Sequence, residues 1–181
     1  MQKRLFTCIT LILISLFSSS LIAQEALKSR PSPTSIESIK FKETYLKITY
    51  CQPHKKGREI FGELVPYGKV WRTGANEATE ITVTDDVLVG GDTLKSGTYS
   101  IFTIPQPNRW TVIFNSELGQ WGAYNYLESS DVMRLEVPTQ KIEKDVWEPF
   151  TISFDQVNEK ADLKMMWDQT MITIPIVFIE H

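Results

Sequence analysis

The sequence predicts an all-β protein: a single antiparallel β-sandwich, or a flattened barrel, of roughly nine short strands with little helix. Three observations predict it. From Ile39 onward the apolar residues recur with a period of two. The runs are rich in β-branched and aromatic side chains and are split by Gly, Pro, Asn and Asp. Few windows support a helix longer than two turns.

Taken in order, Ile39 and Phe41, then Leu46, Ile48 and Tyr50, alternate with Lys and Thr. Ile81 and Val83 lead to Asp85 and Asp86, and residues 87–89 reach a Gly90-Gly91 turn. The runs 99–104 and 110–114 carry apolar residues on both faces and are joined by the short "PQPNR" connection. They predict a central hairpin covered on both sides. Alternating runs at 133–137, 150–154, 163–167 and 172–178 complete the set. Pro175, in the last of these, cannot donate to a ladder and predicts a sheet edge or a bulge. All nine glycines lie between Gly57 and Gly122. Sharp connections are therefore expected in that middle third.

The first residues read differently. Lys3 and Arg4 precede an apolar run at 5–17, and small residues follow at 18–20. This pattern predicts a secretory signal peptide over residues 1–23, too short and too weakly flanked for a membrane span. Residues 24–38 are polar and proline-bearing and predict a flexible lead-in, with one β domain over 39–181. With Lys3 and Arg4 removed and all 22 acidic residues kept, the net charge moves from −3 to −5. Nothing in that balance suits nucleic acid or anionic lipid. Cys51 is the one cysteine after the predicted cut, so an internal disulfide is excluded and packing must supply stability. The expected localisation is exported, either periplasmic or extracellular.

Three stretches could carry chemistry. "VWRTGANEATEI" (70–81) places Arg72, Asn76 and Glu77 among small residues. Arg72 offers a planar fork to a carboxylate or phosphate, and Asn76 and Glu77 supply donors and acceptors. Equally, Arg72 could pair with Glu77 while Thr73 and Asn76 close local turns and Trp71 fills the core. "HKKGREIFG" (54–62) holds a basic cluster whose Arg58 could steer an anion, or else a solvated turn. "LGQWGAYNY" (118–126) presents Trp121 and Tyr124 on an irregular loop, as a stacking platform or a hydrophobic plug.

No metal site or cofactor is expected. Cys51 and His54 make only half a zinc site, and no Gly-x-Ser-x-Gly elbow is present. A glycosidase-like pair would need Glu77 with Glu117 or Asp131 across a cleft.

The stretch "GREIFGELVPYGKVWRTGANEATEI" (57–81), with "SGTYSIFTIP", "WTVIFN" and "QWGAY" after it, resembles the exported bacterial family catalogued as domain of unknown function 2911, common in Bacteroidota. The likeness runs from about residue 30 to the "MWDQTMITIPI" ending. It implies a β-rich envelope or secreted domain and carries over no activity or cofactor. The leading expectation is a module that binds a small polar or anionic ligand through Arg58, Arg72, Asn76, Glu77, Trp121 and Tyr124. The alternative is a structural or protein-interaction β-sandwich without a ligand, and a hydrolase using Glu77 comes third.

Overall fold

Eleven strands form among the described residues, which run from 29 to 179 in the computed structural model. β1 (Thr34–Phe41), β2 (Thr44–Cys51) and β3 (Thr79–Val83) precede two short strands, β4 (Val87–Val89) and β5 (Asp92–Leu94). β6 (Gly97–Pro105) and β7 (Arg109–Asn115) form the expected hairpin. A 3-10 turn (Glu128–Ser130) leads into β8 (Asp131–Lys141), β9 (Trp147–Val157), β10 (Lys160–Asp168) and β11 (Thr170–Phe178). Residues 1–23, the expected signal peptide, lie outside the described residues. Residues from Pro31 onward form one compact unit. Among the described residues no helix is long and apolar enough to cross a membrane.

β1 begins at Thr34, inside the stretch that the sequence predicts as lead-in. Its register with β2, from Thr34 opposite Cys51 to Phe41 opposite Thr44, is a backbone ladder. The side chains give little sign of it, because Ile36 is exposed and its neighbours are Ser and Glu.

All strand pairs are antiparallel, in the order β1-β2-β3-β6-β7-β8-β11-β10-β9. This single sheet curls into a nearly closed barrel, with its two ends meeting. The stretch after β2 completes the turn. Phe150 N–H donates to Pro53 O at 2.8 Å, and Lys55 N–H donates to Glu148 O at 2.7 Å. Farther along the seam, Gln156 Nε2 donates to Lys40 O at 3.3 Å. β4 pairs with β11 on one side and β5 on the other, forming a short flap off the main path.

Pro175 sits where its missing donor does no harm. β8 pairs with β11 only from Thr170 to Ile172, and β4 takes over from Ile176 to Phe178. Pro175 lies between them, and its carbonyl on that side accepts from Gly90 N–H at 2.9 Å. The gap makes this flank of β11 a local sheet edge, where a strand proline is tolerated.

One side of each long strand fills the barrel. Its middle is aromatic: Trp71, Trp110, Trp167, Phe61 and Phe150 pack ring to ring, with Trp71 stacked on Trp167 at 5.9 Å and 17°. A second, smaller cluster lies on the other face of the β6–β7 hairpin. There Phe102, Ile113 and Ala78 are buried beneath Val70, Ile104, Ala123 and Tyr126. The double-sided apolar pattern of these two strands thus reports two cores, and the loop over 116–130 roofs the second.

Candidate functional site

The 70–81 loop is built inward from Trp71. Its backbone forms a bridge to Thr103, with N–H to O distances of 2.7 and 2.9 Å in the two directions. The indole enters the aromatic core and donates from Nε1 to Gly74 O at 3.0 Å. That bond folds the next three residues back over the ring. Thr73 is fully buried with φ 55°, an outlying conformation for a β-branched residue. Thr79 holds it there: its hydroxyl donates to Thr73 O at 2.6 Å, and its N–H donates to Arg72 O at 3.1 Å. At Gly74 the loop backbone runs close against that of Cys51. A Cβ on Gly74 would stand 2.9 Å from Cys51 O, so no side chain fits unless the backbone shifts.

The loop is then tied to the Trp121 loop. Gly122 N–H donates to Asn76 O at 2.9 Å, Ala78 N–H donates to Gln120 O at 2.8 Å, and Glu77 bridges to Trp121. Gly119 N–H donates to Glu80 Oε1 at 2.8 Å. Two stretches that the sequence singles out separately are therefore one structural unit.

A family model described as "Protein of unknown function (DUF2911)" matches residues 32–176. The chain belongs to the DUF2911 family. No curated protein and no solved structure matches it. The DUF2911 span begins at Ser32, whose carbonyl accepts from Asn76 Nδ2 at 3.3 Å, and it contains both loops.

In this DUF2911 chain the side chains of the unit fall into three groups. Asn76 braces: it has φ 57°, and its side chain holds the Ser32 carbonyl. Glu77 faces a cavity of about 320 Å³ whose walls include Thr34, Thr49, Cys51, Ala78 and Glu80. Its Oε2 accepts from the Cys51 thiol at 3.4 Å. Arg72 is half-buried, and its Nε is buried without a hydrogen-bond partner. Burial pulls this guanidinium below its ordinary value, opposed by the nearby Tyr124 hydroxyl and Cys51 thiol. Among the described residues no ion pair joins Arg72 to Glu77 or to any other carboxylate.

Trp121 and Tyr124 are exposed on the partner loop. Arg58 stands with the turn after β2 instead. Its Nη2 donates to His54 O at 2.6 Å and its Nε to Lys55 O at 3.0 Å. Beside it Lys55 pairs with Asp168 at 2.6 Å. The backbone thus brings Asn76 and Glu77 against the Trp121 loop, and Tyr124 of that loop lies near Arg72, whereas no contact brings Arg58 to them among the described residues.

Gln120 is the residue that sequence reasoning passes over. It is 9% exposed, yet its Oε1 has no partner. The only signal for it is its place between Gly119 and Trp121. The carboxylates expected opposite Glu77 are engaged elsewhere. Asp131 accepts from Asn115, Tyr126 and Arg134, and Glu117 accepts from Ser130. Glu80 is the second carboxylate on the cavity wall. Among the described residues no cluster of three or more His, Cys, Asp or Glu side chains could hold a metal ion.

Proposed function

We propose that this protein is an exported envelope module that binds a small polar or anionic ligand where the 70–81 and 116–130 loops meet. Arg72 carries the reading. A half-buried guanidinium with an orphaned Nε and no counter-charge among the described residues is costly to hold in place. A bound carboxylate or phosphate would offset that cost with charge-assisted, bidentate hydrogen bonds. The strained Thr73 beside it fits a backbone shaped for a task other than stability. Glu77, on the cavity wall, supplies an acceptor for the polar part of the ligand.

A bracing role is the second reading, and Asn76 and Arg58 favour it, since both donate to backbone carbonyls. Arg72→Met separates the two. For a ligand anchor, the variant melts at or above the parent temperature and loses the stabilisation that organic acids or phosphate give the parent in a thermal-shift assay. For a brace, it melts well below the parent. Export rests on the basic start and the apolar run at 5–17. N-terminal sequencing of protein recovered outside the cytoplasm should begin near residue 24, and an intact Met1 would overturn it.

A further inference from the structure

We infer that the ligand is an acidic saccharide, with its carboxylate at Arg72 and an apolar ring face on Tyr124 and Trp121. This rests on the reading of the site as an anion binder and adds the class of molecule. Its first support is two large aromatics left in water: Trp121 is 57% exposed and Tyr124 is 85% exposed. Their loop is not loose. Gln120 and Gly122 are bonded through the backbone to Ala78 and Asn76, and Asn115 Nδ2 clasps Leu127 O at 2.9 Å. Aromatics displayed on a loop held in place are ready to stack on a ligand without first ordering the backbone that carries them.

Tyr124 is also placed in a particular way. A Cβ on Gly122 would stand 2.7 Å from its Cε2 and 2.9 Å from its Cδ2. The ring therefore lies directly against the Gly122 backbone, which has φ 71°, and turns its outer side to solvent. A ring held along one edge and otherwise in solvent leaves a face on which a pyranose C–H face can stack.

Two buried polar atoms complete the set. Gln120 Oε1 is an acceptor and Arg72 Nε a donor, and neither has a partner. Their residues are bonded through the backbone to neighbouring positions, since Ala78 N–H bonds Gln120 O while Thr79 N–H bonds Arg72 O. Both atoms are closed off in the free protein, so a ligand carboxylate reaches Arg72 Nε, and a ligand hydroxyl Gln120 Oε1, only with a local shift of the two loops. A bare anion would leave the rings unused. A polyphosphate would meet Glu77 and Glu80 on a protein of net charge −3.

Titration calorimetry tests this with a galacturonate trisaccharide, a hyaluronan tetrasaccharide, maltotriose and succinate. The parent should bind at least one acidic saccharide, and should bind maltotriose and succinate roughly tenfold more weakly or less. Tyr124→Ala should weaken that saccharide roughly tenfold while melting with the parent, as an exposed position should. Arg72→Met should abolish it. If succinate binds as tightly as the saccharides and Tyr124→Ala changes nothing, the saccharide inference falls and the anion site stands. If maltotriose matches the acidic saccharides, both fall. If neither acidic saccharide binds, the inference falls, and the succinate titration alone judges the anion site.

Discussion

Trp71→Ala should melt about 12 °C below the parent protein, because truncating a buried tryptophan costs ~4 kcal/mol and a domain of this size loses about 3 °C per kcal/mol. The indole meets Phe61, Trp110, Phe150 and Trp167, so its removal opens a hole in the middle of the barrel. It also strips Gly74 O of its donor. Trp71→Phe retains most of the ring contacts and loses that bond, so a cost of about 2 kcal/mol is expected. Trp121→Ala is the control: the same residue type, exposed, should cost no more than about 0.5 kcal/mol. Thermal unfolding followed by circular dichroism reads all three. Equal losses for Trp71→Ala and Trp121→Ala would contradict the burial that separates them.

Asp131→Ala should cost about 3 kcal/mol, the second-largest effect expected. Its side chain is only 6% exposed. It accepts from Asn115 Nδ2 at 2.7 Å, the Tyr126 hydroxyl at 2.6 Å and Arg134 Nη1 at 2.8 Å. Asn115 in turn holds Leu127 O and Glu117 N–H, so this carboxylate anchors both ends of the 116–130 loop. Removing it leaves the buried Asn115 amide short of a partner and frees the roof of the second core. Proteolysis should then cut within 116–130 under conditions where the parent resists. A variant that melts within about 2 °C of the parent and resists cleavage would rule out this anchoring.

The same network gives an alkaline signature. Burial, and then the hydrogen bond to Asp131, raise the Tyr126 phenol above its ordinary value. From about pH 10 upward the unfolded chain loses this proton while the folded chain keeps it, so stability falls as pH rises. The contribution is whole below about pH 10 and is lost as pH climbs toward the raised folded value. Tyr126→Phe should lack that part of the slope.

Much of this architecture is legible in the residues. Period-two runs mark ten of the strands, and the double-sided pattern of 99–104 and 110–114 marks the hairpin that two cores sandwich. β5 is hidden because Leu94 is its only apolar residue, and the start of β1 because its pairing is a backbone ladder with Ile36 left exposed. Barrel closure is hidden too. The Tyr50 hydroxyl accepts from Ile152 N–H across 102 positions, and no local pattern encodes such a contact. The site divides in the same manner. Arg72, Glu77 and Trp121 stand out by type and neighbourhood, but the pairing of residues 76–78 with 120–122 is long-range. Gln120 is invisible because its importance lies in a missing partner, which only packing reveals.

The near-closure of the barrel bears on how this chain behaves in a crowd. Unpaired strand flanks are templates on which other chains stack into aggregates. Here the two terminal strands of the sheet, β1 and β9, turn toward each other, and the tail of β2 is stitched to β9. One flank left open, on the short flap, belongs to the three-residue β5, which carries exposed Asp92 and is followed by exposed Lys95. It is too short and too charged to seed a neighbour. Among the described residues, where Cys51 is free of any disulfide, the curl of the sheet thus limits by geometry the strand edge left open to another chain.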